Sequence, residues 1–194
     1  GEFMNLKGPE LLRALRGTLI GRDIEVPTTT GLRPFINLDN SASTPAFRPM
    51  WEAFRQGMRL NDQAVAEMAG NVRQICADSL GAPLTGYEVI FTSNTTESIN
   101  LAATGLGNLP AGDAEPVILT TILEHSSNDL PWRTVPGHSV IRLEVNNEGI
   151  FDLKRLEELL VDYNERGLHG KNRIRLVTVS GASNVLGTCN DLEA

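Results

Sequence analysis

Three short polar segments of this 194-residue chain carry side chains that could do chemistry, and each directly follows a predicted β-strand. They are residues 91–97 (FTSNTTE), 123–128 (LEHSSN) and 180–188 (SGASNVLGT). In open parallel sheets, ligands collect where a strand ends and the chain turns towards a helix. The three segments are therefore the candidate sites of the molecule.

The first segment is suited to binding an anion. Free backbone N–H groups at a helix start, together with the hydroxyls of Ser93, Thr95 and Thr96, could hold a phosphate against the helix dipole. The alternative is an ordinary helix cap, with Glu97 in the first turn. Capping is the commoner role of such residues, so the motif alone leaves both open.

The second segment contains a histidine. His125 could stack on a flat ring or move a proton, although a single histidine more often makes a structural hydrogen bond. His138 and His169 have no comparable placement. The sequence contains neither a C-x-x-C nor an H-E-x-x-H pattern, and we expect no metal site.

The third segment combines small residues with an amide. Small residues let the backbone approach a ligand, and Asn184 offers both a donor and an acceptor. A plain turn at a strand end is the alternative. Cys76 falls on the apolar face of a predicted helix, and Cys189 has no basic neighbour that would lower its pKa. Neither cysteine is therefore expected to act as a nucleophile.

The elements that position these segments follow from hydrophobic spacing. Residues 26–31 are rich in helix breakers and predict a linker, and residues 35–38 predict a short extended piece. Helical spacing predicts helices over residues 9–20, 50–58, 62–80 and 96–104, the third of which is capped by Gly81. A fifth helix is predicted to follow Asp152, which caps it. Runs of β-formers predict strands over residues 88–92, 117–121, 140–143 and 174–180. Because strands alternate with helices, the fold class is α/β, with a mostly parallel sheet flanked by helices.

Charge and composition exclude several classes of protein. The net charge is −7, which argues against a nucleic-acid binder with a broad basic face. No apolar run is long enough to span a bilayer, and the leucines near the N-terminus are interrupted by Arg13 and Arg16, unlike a signal peptide. Two cysteines make no disulfide framework. We expect a cytoplasmic protein with no membrane or nucleic-acid partner.

The chain divides into three parts at the level of sequence. Residues 1–3 precede Met4 and are typical of a remnant left by an expression vector. Residues 4–34 predict an N-terminal helix and linker, and residues 35–194 predict one large domain that is incomplete.

Four motifs, taken together and in order, resemble the class V aminotransferases, the pyridoxal-phosphate enzymes that include cysteine desulfurases and selenocysteine lyases. The motifs are residues 37–45 (NLDNSASTP), 91–101 (FTSNTTESINL), 124–128 (EHSSN, followed by Pro131 and Trp132) and 183–188 (SNVLGT). The resemblance implies the N-terminal part of the three-layer large domain of a pyridoxal-phosphate-dependent transferase.

The resemblance also implies roles for individual residues. Asn94, Thr95 and Thr96 would bind the cofactor phosphate. His125 would stack on the pyridine ring and assist proton movement as the catalytic residue, and Asn184 would bind the phenolic oxygen of the ring or the substrate carboxylate. Residues 39–44 would lie near the substrate entrance. The implied substrate is a small sulfur- or selenium-containing amino acid, and the implied assembly is a homodimer.

Two positions depart from the family pattern. Asn94 stands where the family usually has glycine, and asparagine tolerates a positive φ better than most residues do. Gly181 stands where desulfurases often have a bulkier residue, which predicts a different pocket wall.

The family's lysine that binds the cofactor covalently, its aspartate, its arginine and its nucleophilic cysteine all follow the last motif. Lys7, Lys154 and Lys171 are the lysines of this sequence, and none matches the family's lysine. We therefore expect an N-terminal fragment that is inactive by itself, with strand 88–92 lacking its usual neighbours and favouring association. The alternatives are another class V aminotransferase, lyase or epimerase, or a non-catalytic α/β binding module.

Overall fold

The structure is a computed structural model that describes residues 3, 5–40 and 42–192. Most of the predicted vector remnant and Met4 lie outside the described residues, as does Ser41 of the first motif. The described residues form two compact units that divide between Ile90 and Phe91.

The first unit contains three helices and a hairpin. Helix α1 spans Gly8–Gly17, α2 spans Arg48–Gly57 and α3 spans Asp62–Ser79, as their apolar spacing predicts. Strands β1 (Glu25–Thr28) and β2 (Gly31–Pro34) pair antiparallel, with Val26 opposite Arg33. The stretch of residues 26–31 interpreted as a linker therefore forms most of β1 and the turn of a hairpin, where Gly31 adopts a positive φ of 107° that lets the chain reverse.

The second unit contains the parallel sheet. Its elements are α4 (Thr95–Gly107), β3 (Glu115–Thr121), α5 (Ser126–Asp129), a 3-10 helix (Pro131–Thr134), β4 (Ser139–Leu143), α6 (Leu153–Asn164) and β5 (Asn172–Val177). The strand order is β4-β3-β5, and both neighbours run parallel to β3. The predicted α/β class and parallel sheet are confirmed.

The core of the second unit lies on both faces of β3. Leu119 faces a cluster that includes Leu143, Phe151 and the apolar side of α6. Ile118 faces the opposite cluster, formed with Ala103 of α4 and Trp132. Ile118 and Leu119 are both fully buried. Successive side chains of a strand point to opposite faces, so β3 is covered by helices on both sides and fixes the position of its C-terminal end.

The prediction of a strand over residues 88–92 is wrong. These residues form no strand in the structure, although they carry a run of strand-forming side chains. A strand exists through its ladder of hydrogen bonds, and β3 pairs with β4 on one side and β5 on the other instead. Local β-propensity therefore does not suffice here, because no neighbouring strand accepts this segment.

Across residues 3, 5–40 and 42–192, no helix is long and apolar enough to cross a membrane.

Candidate functional site

The N-terminus of α4 is capped by Asn94. Its Oδ1 accepts a hydrogen bond of 2.9 Å from the backbone N–H of Glu97. Its backbone is extended, with φ −167° and ψ 170°. Asparagine at this position therefore serves as a helix cap, and the positive φ that glycine would supply is not used. The capping interpretation of the first segment is confirmed.

Glu97 closes the same cap from the other side. Its carboxylate accepts a 2.7 Å hydrogen bond from the backbone N–H of Ser93 and another from the Ser93 hydroxyl. These two donors hold the pKa of Glu97 below its usual value, the hydroxyl having the larger effect. The acidic side chain of the first turn is thus bound to Ser93, the residue before the cap.

The next two residues, Thr95 and Thr96, have hydrogen-bond donors that no described residue accepts. Within the described part of the chain, no hydrogen bond engages their backbone N–H groups or their hydroxyls. Both residues are exposed. The first N–H groups of a helix carry partial positive charge and point away from the helix body. The start of α4 therefore presents four uncommitted donors on two adjacent residues, in addition to the completed cap.

A cavity brings the first and second segments together. It has a volume of about 320 Å³ and lies where α4 packs against α5 and the 3-10 helix. Its lining comprises Thr96, Asn100, Ser126, Ser127, Leu130, Pro131 and Thr134. The hydroxyl-rich end of this cavity therefore includes one predicted phosphate ligand and the two residues that follow His125.

His125 caps α5 with its ring. Its Nδ1 accepts a 3.2 Å hydrogen bond from the backbone N–H of Ser127 and lies 2.8 Å from the Ser127 hydroxyl oxygen. Because a backbone N–H can only donate, Nδ1 is the acceptor and the neutral ring carries its proton on Nε2. The ring is exposed and its orientation is fixed at one edge only.

Glu124, next to His125, is at the centre of a hydrogen-bond network. Its carboxylate accepts from the Thr121 hydroxyl (2.6 Å) and the Asn128 amide (2.6 Å). It also accepts from the backbone N–H (3.0 Å) and the hydroxyl (2.7 Å) of Ser180. One carboxylate therefore joins the end of β3, helix α5 and the segment after β5.

Asn128 extends this network to the core. Its Oδ1 accepts from the indole N–H of Trp132 (3.0 Å) and from the hydroxyl of Thr178 (2.7 Å). Its side-chain amide has donated to Glu124, so the orientation of the Asn128 side chain is determined from both ends. The spacing of Glu124, Asn128 and Trp132 is the i, i+4 spacing of one helix face. None of the three residues has a role predicted from the sequence, although this spacing could have indicated one.

The third segment forms a turned loop after β5. The Ser183 hydroxyl oxygen accepts from the backbone N–H groups of Val185 (3.3 Å) and Leu186 (3.1 Å), and the N–H of Ser183 donates to Thr188. Asn184 lies at the exposed tip of this turn. It does not line the cavity that contains Thr96. The structure thus places Thr96 and the His125 segment together and leaves Asn184 on a separate loop.

The remaining predicted features lie elsewhere. Residues 37–40 and 42–44 belong to the first unit, where the Asn37 amide donates a hydrogen bond to Asn40 (2.9 Å). Cys76 is partly buried and Cys189 is exposed, and both are free thiols. Among residues 3, 5–40 and 42–192, no group of three or more histidine, cysteine, aspartate or glutamate side chains could hold a metal ion.

Comparison with known proteins identifies the class. The sequence profile of the family described as aminotransferase class-V matches residues 36–194. The chain therefore belongs to the class-V aminotransferase family, as the four motifs predicted. Class-V aminotransferases and cysteine desulfurases are pyridoxal-phosphate-dependent.

Individual relatives of the chain are named cysteine desulfurases. A probable cysteine desulfurase from Synechocystis sp. is 37% identical over 177 residues, which is 82% of this chain and 39% of the relative. A cysteine desulfurase from Enterobacter sp. is 31% identical over 147 residues, which is 74% of this chain and 33% of the relative. The apo structure of a cysteine desulfurase from Thermococcus onnurineus superposes with a TM-score of 0.72 at 28% identity. That match covers 97% of this chain and 44% of the other, so the chain spans less than half the length of these relatives.

Proposed function

We propose that this chain provides the phosphate-binding and ring-binding part of a pyridoxal-phosphate site in an enzyme that resembles the cysteine desulfurases. The observation that carries this proposal is the pair of uncommitted threonines at the start of α4. No described residue accepts a hydrogen bond from their N–H groups or hydroxyls, and a phosphate offers several acceptor oxygens. The helix dipole adds to this attraction.

The chemistry of the donor set fits the cofactor. Thr95 and Thr96 donate to the phosphate, and the cap formed by Asn94 and Glu97 holds their backbone in position. The exposed ring of His125 can stack on a flat heterocycle, and its Nε2–H, on the edge opposite the bonded Nδ1, can donate a hydrogen bond. Asn184 offers its amide from the loop after β5. When bound, pyridoxal phosphate supplies an electron sink, and the protein supplies orientation and electrostatics.

The proposed reaction is the removal of sulfur or selenium from a small amino acid. This is supported by the relatives, which are named cysteine desulfurases. The whole enzyme is proposed to be cytoplasmic. Another class V reaction remains the alternative, and the region that follows the last motif would decide between them.

The chain by itself is proposed to be inactive. Its lysines do not line the cavity that contains Thr96. Lys171 precedes β5 and thus lies at the N-terminal edge of the sheet, whereas the three segments follow the C-terminal ends of strands. Lys154 is an exposed residue of α6, and Lys7 precedes α1. Neither Lys154 nor Lys171 is therefore placed to bind the cofactor covalently.

The chain is also proposed to associate with a second copy. Helix α2 leaves Met50, Trp51 and Phe54 about half exposed or more. The Trp51 and Phe54 rings stack with their centroids 5.8 Å apart, and contiguous exposed apolar surface marks protein–protein interfaces. Light scattering should give a mass above the 21.1 kDa of one chain, and a single-chain mass at all concentrations would contradict association.

The phosphate-binding proposal is tested by removing the two hydroxyls. The double variant Thr95→Val, Thr96→Val should weaken the binding of pyridoxal phosphate by roughly a hundredfold or more, because each hydroxyl that bonds a charged group contributes a net ~1.5–3 kcal/mol. Thr104→Val on the same helix is the matched control, since its hydroxyl is bonded to the Asn100 carbonyl. Equal affinity of the double variant and the control, measured by cofactor fluorescence, would contradict the proposal.

A further inference from the structure

We infer that Glu124 is the positioning residue of this site, through which the loop of His125 and the loop of Asn184 are held together. This inference rests on the proposed function for the identity of the ligand, whereas the hydrogen bonds of Glu124 are observed without any ligand. Glu124 is not itself in the cavity that contains Thr96, and it acts through the residues that flank it.

The carboxylate is the one side-chain type that satisfies this position. Oε1 receives donors from the Thr121 hydroxyl and the Ser180 backbone N–H, and Oε2 receives donors from the Asn128 amide and the Ser180 hydroxyl. An ionised carboxylate accepts at both oxygens and donates at neither. Four donors that converge on two oxygens therefore require this group.

A glutamine cannot replace it in either orientation. An NH₂ group in place of Oε1 would face the N–H of Ser180, which cannot reverse. An NH₂ group in place of Oε2 would face the amide of Asn128. That amide is prevented from flipping because its Oδ1 already accepts from Trp132 and Thr178. The Glu124→Gln substitution, which changes volume little, therefore sets donor against donor.

The link from Glu124 to His125 is short. His125 is the next residue, and its carbonyl accepts a 2.7 Å hydrogen bond from the N–H of Asn128, whose side chain is bound to Glu124. The turn that carries the ring thus starts at Glu124 and is closed at Asn128, whose side chain is bound to the Glu124 carboxylate. The same turn presents the N–H of Ser127 to Nδ1 of the ring.

The link from Glu124 to Asn184 passes through Ser180. The Ser180 carbonyl accepts from the Asn190 amide (3.0 Å), and the N–H of Asn190 donates to the Gly181 carbonyl (2.8 Å). These bonds close the base of the loop whose tip carries Asn184. Glu124 therefore fixes the base of this loop relative to α5.

The experiment compares Glu124→Gln with Glu157→Gln, a control at an exposed glutamate of α6. We expect Glu124→Gln to shift the NMR signals of the His125 ring and of the Asn184 amide, and to replace the single Nε2–H tautomer of His125 by a mixture. We also expect about tenfold weaker binding of pyridoxal phosphate, comparable to the loss of a residue that orients a metal ligand. Binding of inorganic phosphate, which needs Thr95 and Thr96 alone, should stay unchanged.

A milder variant keeps the test decisive if Glu124→Gln does not fold. Ser180→Ala removes one of the four donors and should shift the same signals by a smaller amount. Unchanged His125 and Asn184 signals in either folded variant would overturn the inference. If the unsubstituted chain bound no pyridoxal phosphate, the proposed function would fail, while the ligand-free NMR comparison would still decide the role of Glu124.

Discussion

Glu124 and Ser180 are joined by two hydrogen bonds, one from the backbone N–H (3.0 Å) and one from the hydroxyl (2.7 Å). The two residues are 56 positions apart in the sequence and follow neighbouring parallel strands. A parallel sheet brings the C-terminal ends of its strands to one edge, and this pair makes the contact there specific. The relationship between the second and third polar segments is therefore built into the protein without any ligand.

Replacing Asn94 by alanine tests the cap of α4. The N–H of Glu97 loses its acceptor, and the free energy of unfolding should fall by about 1 kcal/mol. Asn108→Ala, at the opposite end of the same helix, is the control because its side chain makes no hydrogen bond in the described part of the chain. Urea unfolding followed by circular dichroism measures both. Equal losses in the two variants would show that Asn94 is not a cap.

Glu97 predicts a pH dependence of stability. Its pKa is lowered in the folded chain, mainly by the Ser93 hydroxyl, so the ionised form is favoured by folding. The resulting stabilisation is complete above the usual value of 4.5 and is lost as the pH falls through the lower, folded value. The melting temperature of the unsubstituted chain should exceed that of Glu97→Gln at pH 7. The difference should shrink below pH 4.5, and a difference that is constant from pH 7 to pH 3 would contradict this account.

The placement of the lysines predicts the outcome of chemical trapping. Borohydride added to the chain with pyridoxal phosphate should label Lys7, Lys154 and Lys171 weakly and without selectivity, since all three are exposed. Peptide mass spectrometry locates the label. Stoichiometric labelling of one lysine, abolished when that lysine is changed to arginine, would show that the chain completes a covalent site by itself.

Much of the second unit follows from local sequence. The helix predicted from Asp152 begins where its carboxylate accepts from the N–H groups of Lys154 and Arg155. The strand over residues 117–121 is the buried centre of the sheet. In both cases the residues that define the element are neighbours in the chain, so spacing and capping preferences are sufficient.

Long-range contacts could not be predicted in the same way. The failed strand at residues 88–92 has the composition of a strand, but strand formation depends on a partner that local sequence does not reveal. The Glu124–Ser180 contact likewise depends on strand order, which places β5 beside β3 rather than beside β4. The motifs alone predict roles for His125 and Asn184, whereas the Glu124 carboxylate that connects their loops is identified only from the fold.

The proposed phosphate site depends on the hydrogen-bond donors of Thr95 and Thr96, and an NMR titration tests their role most directly. Pyridoxal phosphate added to the ¹⁵N-labelled chain should shift the amide signals of Thr95 and Thr96 first and most strongly, with the His125 ring following at the same midpoint. Inorganic phosphate should shift the two threonine amides and leave the His125 ring unaffected. Binding that shifts other residues, with no change at Thr95 and Thr96, would contradict the assignment of the α4 N-terminus as the phosphate site.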